Sequence, residues 1–302
     1  MSSVPSIGAT AKILHEVIRD ATQRFAAAGI SNAAGEARLL AAHFLDVASA
    51  EVFMYLREPA PLGLAEAIAR RERRQPLQHI IGSAPFGPLE LLVGPGVFIP
   101  RPETEVLAQW AVDKLKNAGM GAQRTGDSPL VLDLCTGTGA LAAFIAHEVP
   151  NVQVIGVEYS PEAMEWAEKN RTQLQKRSGI SYELRHGDVC EANFLAEFDG
   201  RIDLIVSNPP YVPRDESLSP EVYADPDSAV FAGETGMDVI DHLAPLVARL
   251  LRPGGVVGIE HDDTTSQQVQ EVLRAQSKLE KIAPLADLTG RDRFVTATKS
   301  VN

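Results

Sequence analysis

The spacing of apolar residues changes character twice along the chain. In the first stretch it is helical. Ile13, Val17, Ile18, Ala21 and Phe25 recur at three and four residues, which places them on one helical face. Gly29 stops that run and Ser31 is a good N-cap for the next, where Leu39, Leu40, Phe44 and Leu45 repeat the stripe. A short third run carries Val52, Phe53 and Leu56 before Pro59 and Pro61 break it, and Leu64 to Arg74 makes a fourth. The expectation is a small antiparallel helical bundle over residues 1–84. Arg70, Arg71, Arg73 and Arg74 close its last helix, where a solvated cluster complements the helix dipole.

Between residues 85 and 102 the texture becomes rich in Pro and Gly, with apolar runs at Leu89 to Val93 and Val97 to Ile99. This predicts two strands turning at Gly94-Pro95-Gly96, a hairpin that links two domains. Helical spacing resumes from Glu103 to Lys116, and Gly119 to Asp127 reads as a loop of small residues. From Leu130 onward, strands and helices alternate. VLDL, VQVIGVE, ISYELRH, IDLIVSN and VVGIE are strand-like, and helices fall between them, one opened by the cap Ser160 with Pro161 at its first position. That alternation predicts an α/β fold, a parallel sheet doubly wound by helices. Two last strands, Leu279 to Pro284 and Phe294 to Lys299, are expected to form an antiparallel edge around a turn at Arg291-Asp292-Arg293.

Composition and charge narrow the function. The chain has 302 residues, 45% of them hydrophobic, and a length at which two domains are expected. No apolar run reaches the roughly 18 residues of a membrane span, and the N-terminal stretch has no apolar core of a secretory signal, which predicts a soluble cytoplasmic protein without a membrane partner. Cys135 and Cys190 cannot make a disulfide scaffold. Nine Lys and Arg balance eight Asp and Glu up to Ala84, but the remainder carries 19 basic against 32 acidic residues. A catalytic part so acidic repels a nucleic-acid backbone, which argues against nucleic acid as the main substrate.

Two constellations carry chemistry. The first is Asp133-Leu134-Cys135-Thr136-Gly137-Thr138-Gly139-Ala140-Leu141-Ala142, where the first strand of the sheet meets its helix. Glycines there let a ligand approach the backbone, and the helix N-terminus offers free N–H groups. Glu158 ends the next strand, 19 residues after Gly139, in place to accept hydrogen bonds from both hydroxyls of a ribose. The pattern Gly137-x-Gly139-x-x-Ala142 alone fits a nicotinamide dinucleotide equally well. Two acids favour another ligand. Asp133 would repel a pyrophosphate and hold an ammonium, and Asp188, followed by Val189, suits an adenine amino group. Adenosine, an ammonium and a sulfonium together describe S-adenosylmethionine.

The second constellation is Asn208-Pro209-Pro210-Tyr211, at the end of the fourth strand. Two prolines offer no N–H and cannot continue a central strand, so the backbone must leave the sheet as a stiff turn. The Asn208 side-chain carbonyl and the Pro209 main-chain carbonyl can then accept both hydrogens of one planar NH2 group, with Tyr211 against its flat face. Such a grip would localise the nitrogen lone pair and aim it at a methyl group. It needs no metal. Glu260-His261-Asp262-Asp263 lacks metal-ligand spacing, and Cys190 has the look of a packing residue.

Together these motifs resemble class I S-adenosylmethionine-dependent methyltransferases acting on planar amino groups. Asn-Pro-Pro-Tyr is shared by adenine-N6 nucleic-acid methyltransferases and glutamine-amide methyltransferases, so it leaves both open. Phe98-Ile99-Pro100-Arg101-Pro102-Glu103-Thr104-Glu105 resembles the segment before the catalytic domain of the release factor glutamine methyltransferases. Pro76 to Gly82, Glu234 to Met237 and Glu260-His261 are similar too, so the resemblance runs over nearly the whole chain. It implies that Asp133, Cys135, Thr136, Gly137, Thr138, Gly139, Glu158, Asp188, Val189 and Asn208 hold S-adenosylmethionine. It also implies that Asn208, Pro209, Pro210 and Tyr211 bind and activate the glutamine of the Gly-Gly-Gln motif in peptide chain release factors. Residues 1–84 would dock that partner, 85–102 would link, and 103–302 would catalyse. The family usually has Gly where this chain has Cys135, and Asp where it has Glu158. Three other readings compete with it. They are an adenine methyltransferase of DNA or RNA, a cofactor-sensing or ribosome-assembly module without turnover, and an NAD-dependent oxidoreductase.

Overall fold

The structure is a computed structural model that describes residues 12–117, 128–213, 223 and 225–301. The expected loop over residues 119–127 lies outside the described residues, as does most of the N-terminal segment considered as a signal. The chain divides into two compact units, Met1–Gly82 and Ser83–Asn302.

The first unit packs helices α1 (Leu14–Ala27), α2 (Ala33–Leu45), α3 (Leu64–Glu72) and α4 (Leu77–Ile81) with a 3-10 turn over Val52–Tyr55. Its core holds part of the predicted stripe: Ala21, Phe25 and Leu40 are buried with Leu64 and Ile68, but Leu14 takes the inward place expected for Ile13, and Ile13 and Leu39 are exposed. Two local readings change. Asn32, not Ser31, precedes α2, and its side chain makes no capping bond. The arginine cluster is only partly solvated. Arg71 is buried and paired with Glu36 across the bundle, and Arg74 donates to the Ala28 carbonyl at 2.7 Å. These two arginines hold the bundle together, because a buried guanidinium needs a partner for its charge.

The second unit begins with a hairpin, but not the predicted one. Strands β1 (Ser83–Phe86) and β2 (Leu89–Leu92) pair antiparallel about Gly87-Pro88. Val97 and Ile99 are buried with Ala163 instead of pairing as a strand. After α5 (Thr104–Asn117) comes the alternating region: β3 (Leu130–Leu134), α6 (Ala140–Glu148), β4 (Gln153–Glu158), α7 (Pro161–Ser178), β5 (Glu183–His186), β6 (Ile202–Ser207), α8 (Asp227–Val230), α9 (Asp238–Leu250), β7 (Leu251–Glu260), α10 (Ser266–Arg274), β8 (Leu279–Ala286) and β9 (Asp292–Lys299). Among the described residues the sheet order is β5-β4-β3-β6-β7-β9-β8. β3 to β7 are parallel, and β9 runs antiparallel to both β7 and β8, as expected for an α/β doubly wound sheet with an antiparallel edge. The last turn is centred on Asp287 to Gly290, where Asp287 accepts from the Thr289 and Arg291 amides, so Asp292 and Arg293 already belong to β9.

The central strands β3 and β6 are mostly apolar, with Asp133, Asp203 and Ser207 as polar exceptions, because helices cover both faces. β3 and β6 are buried at every position. One cluster lies on each side of the sheet: Leu132, Leu134, Ile205, Val257 and Ile259 with α9 and α10, and Val131, Leu204 and Val206 with α5 and α6. The chain runs outward from β3 to β5 and returns to β6 on the other side of β3. That reversal opens a crevice above the carboxyl ends of β3 and β6, where ligands bind in such sheets.

Candidate active site

A cavity of about 350 Å³ occupies this crevice. Its lining comes from the ends of four parallel strands: Cys135 to Thr138 after β3, Val157 to Ser160 at β4, Gly187 to Cys190 after β5, and Asn208, Pro210, Tyr211 and Val212 after β6. Phe98, Pro100 and Thr104 close another side, and Ser228 to Val230 of α8 a further one. The two constellations singled out in the sequence therefore share one cavity, 69 residues apart in the chain.

The loop after β3 is held from behind. Glu158 accepts from the Gly137 amide at 2.8 Å through Oε2, and from the Tyr159 and Ser160 amides through Oε1. Burial raises its pKa, and those three amides pull the other way. Gly137 has φ of +55°, and nothing lies within 4 Å of where a Cβ would point, so the backbone meets open cavity there. Cys135 adopts φ of +63° at a position where the resemblance leads one to expect Gly. Burial pushes its thiol well up, so it is no nucleophile. Asp188 accepts from the Cys190 amide at 2.8 Å. Cys190 lines the cavity as well as packing on the core.

Three of the proposed residues stand back from the cavity wall: Asp133, Gly139 and Pro209. Asp133 is wholly buried in β3 and caps α6, accepting from the Ala142 amide at 3.0 Å and from the Thr136 hydroxyl. It is a support of the loop, because its neighbours already engage Oδ2. Its Oδ1 is buried without a hydrogen-bond partner among the described residues. Gly139, φ +83°, lets the chain enter α6 beneath Tyr182. Pro209 is buried in the turn itself.

Behind the turn lies a group that the resemblance includes but to which the motifs assign no chemical role. Glu260, at the end of β7, is 1% exposed. Its Oε2 accepts from the Thr104 hydroxyl at 2.8 Å and its Oε1 from the Tyr211 hydroxyl at 2.9 Å. Asn208 Nδ2 is 3.3 Å from the Thr104 oxygen. Among the described residues no group of three or more His, Cys, Asp and Glu could hold a metal ion. Glu260 accepts two hydrogen bonds, and Asp262 beside it accepts from the Thr264 amide. The signal of the Glu260 contacts in the sequence was faint, since Thr104 and Glu260 are 156 residues apart.

Three buried carboxyls are held above their ordinary range by desolvation: Asp133 and Glu260 at about 7, Asp225 at about 6. Each binds its proton more tightly in the folded chain than in the unfolded one. Their stabilising contribution is therefore complete below the ordinary carboxylate range and is lost as pH rises through about 7. His261, whose pKa burial lowers, opposes this only below its ordinary value. The expected result is a melting temperature that falls between about pH 6.5 and about pH 8. A scan of cofactor-free protein by calorimetry checks it; a rise over that window contradicts the assignment.

The site fits S-adenosylmethionine. It offers an open glycine backbone at Gly137, an acceptor carboxylate, Glu158, at the second strand end and a further acid, Asp188, after the third. A methyltransferase domain family model matches residues 127–293, and a model described as the PrmC N-terminal domain matches residues 16–82. The catalytic domain of hMettl16, solved with an RNA hairpin, has the same fold at a TM-score of 0.53 and 16% identity, covering 78% of this chain and 82% of that one. Fold and site together define a class I methyltransferase that uses S-adenosylmethionine as methyl donor.

Two relatives take the assignment further. A release factor glutamine methyltransferase of Corynebacterium glutamicum is 50% identical over 286 residues, 95% of this chain and 99% of that protein. One from Mycolicibacterium smegmatis is 46% identical over 290 residues, 95% and 98% of the two chains. The chain belongs to the release factor glutamine methyltransferases.

Proposed function

We propose that this enzyme transfers a methyl group to the side-chain amide nitrogen, N5, of the glutamine in the Gly-Gly-Gln motif of peptide chain release factors. The observation that carries the reading is the Asn208 carboxamide. Its Nδ2 is engaged by Thr104, and its Oδ1 has no hydrogen-bond partner among the described residues, at the wall of a cavity that also contains the Glu158 loop.

S-adenosylmethionine supplies an electrophilic methyl group carried on a positive sulfur. Glu158 would accept hydrogen bonds from its ribose, Asp188 and Val189 would hold its adenine, and the backbone from Cys135 to Thr138 would support its amino-acid end, with Asp133 and Gly139 shaping that loop from behind. On the other side, Asn208 Oδ1 and the Pro209 carbonyl accept the two N–H bonds of the substrate amide. Pro210 keeps the turn stiff and Tyr211, tied to Glu260, covers the flat face. An amide nitrogen is a weak nucleophile because its lone pair is delocalised into the carbonyl. Two acceptors on its hydrogens weaken that delocalisation and fix its direction, a form of orientation worth roughly 7–11 kcal/mol in favourable cases. The same carbonyl dipoles favour the positive charge that grows on nitrogen during attack. No strong base is required, since the methylated nitrogen loses its proton readily.

The first unit supplies docking area for the protein partner: Phe53, Met54 and Leu62 are 70%, 56% and 97% exposed. No described helix is long and apolar enough to cross a membrane, and a substrate engaged in translation termination places the reaction in the cytoplasm. The acidic catalytic part argues against nucleic acid as the main substrate. Incubation with methyl-labelled S-adenosylmethionine and a release factor is expected to label the Gly-Gly-Gln glutamine, located by mass spectrometry of the digest. Label on DNA or RNA instead, with none on the release factor, would sink the proposal in favour of an adenine methyltransferase.

A further inference from the structure

The hydrogen bonds behind Asn208 have a direction. Burial holds the Glu260 carboxyl up at about 7, while the hydroxyls of Thr104 and Tyr211, each within donor reach of one of its oxygens, favour the ionised form, in which it presents only acceptors. The Thr104 hydroxyl has one hydrogen, which the carboxylate Oε2 takes at 2.8 Å. What Thr104 then offers to Asn208 is a lone pair. Only the NH2 end of the carboxamide can meet it, and Nδ2 does so at 3.3 Å. Asn208 Oδ1 is thereby left for the cavity.

We propose that Glu260, acting through the Thr104 hydroxyl, sets the polarity of the Asn208 carboxamide and so makes the site choose glutamine over glutamate. This inference rests on Asn208 being the group that grips the substrate amide. A glutamine side chain brings two N–H bonds to the two acceptors, Asn208 Oδ1 and the Pro209 carbonyl. A glutamate of the same length brings only oxygens, which those acceptors repel. An Asn208 turned end for end would present its NH2 group and welcome the carboxylate. Thr104 and Glu260 are thus positioning residues: neither needs to touch the reacting nitrogen.

The test uses the full-length protein, a peptide containing Gly-Gly-Gln as substrate and its Gly-Gly-Glu counterpart as competitor. Thr104→Val keeps the shape and removes the hydroxyl; Thr104→Ser keeps the hydroxyl. Thr104→Val is expected to lower kcat on the order of tenfold and to improve competition by the glutamate peptide, relative to the KM for the glutamine peptide, by a similar factor. Binding of S-adenosylmethionine should stay near wild type, the melting temperature should fall by a few degrees because a buried carboxylate oxygen loses its donor, and Thr104→Ser should restore kcat, selectivity and melting temperature. Thr104→Ala gives the same ratio without a branched side chain against Glu260, should the valine variant fold poorly. Unchanged kcat and selectivity in the valine and alanine variants would overturn the proposal. So would losses that serine fails to restore, since these would mark the Thr104 methyl as the group that matters. Asn208→Ala separates the two levels. If it is inactive while Thr104→Val behaves as wild type, the relay alone is wrong; if it turns over normally, the grip on the amide is wrong and the relay falls with it.

Discussion

Replacing Asn208 with alanine is expected to reduce kcat for glutamine methylation roughly 100- to 1,000-fold, the range seen when one preorganised polar contact to a reacting group is removed. Three properties of the site argue for so large an effect. The lost oxygen is one of the two acceptors proposed to hold the amide, so half of that orienting grip would disappear. Water entering its place would bond to the amide without directing it. Growing charge on nitrogen would lose a fixed dipole in a largely apolar cavity. Stability should change little, because Asn208 is partly exposed and its one observed bond, to Thr104, is long at 3.3 Å. Single-turnover kinetics on saturated enzyme isolate the step. A variant that keeps kcat within about threefold would remove Asn208 from the mechanism.

Gly236→Ala is expected to cost activity on the order of 100-fold without touching a ligand-binding side chain. Gly236 has φ of +76°, and a methyl group built there collides with the carbonyl oxygen of Tyr211. That oxygen belongs to the backbone leaving the diproline turn, which cannot rotate aside as a long side chain would. The turn must shift, and a displacement of about 1 Å at a reacting group is enough for a loss of that size. Gly290→Ala is the control. It has φ of +84° with nothing within 4 Å of the added methyl, so it reports the left-handed backbone penalty alone, about 1–2 kcal/mol. Comparison of kcat and of chemical unfolding for the two variants separates collision from strain. Equal behaviour of both would mean that the contact with Tyr211 is unimportant. The same geometry explains why Glu234 to Met237 carries a sequence signature although Gly236 does not line the cavity.

Much of this architecture was legible in the sequence because its signals are local. Period-two and period-3.6 patterns placed β3 to β7 and their helices, Ser160-Pro161 announced α7, and the Ser160 oxygen does accept from the Ala163 amide at 3.3 Å. A Gly-rich turn followed by an acid at the next strand end, and an Asn-Pro-Pro-Tyr turn at the fourth, suffice to find the cavity. Apart from the α2 cap and the last turn, which are local slips of a few residues, the misreadings concern partners distant in the chain. Gly87-Pro88 and Gly94-Pro95-Gly96 are equally good turns by composition. What decides between them is α7, where Trp166 donates to the Pro95 carbonyl at 3.1 Å and faces Gly94, so Val97 and Ile99 pack on a helix. Arg71 looked solvated because Glu36 lies 35 residues away. Asp133 read as a ligand-facing acid, but the fold turns it toward the start of α6. Glu260 looked like an idle acid beside a histidine until β7 and α5 were brought together.

Asn170, fully buried in α7, accepts from the Leu92 amide at 2.7 Å and donates to the carbonyls of Leu92 and Thr138, both at 3.0 Å. One side chain thereby fastens β2 to the glycine loop that follows β3. A shortened enzyme cut at Glu103, where helical spacing resumes, would strip Asn170 of two of its three partners and loosen that loop. Expression of the catalytic part by itself is better begun at Ser83, so that the stitch is retained.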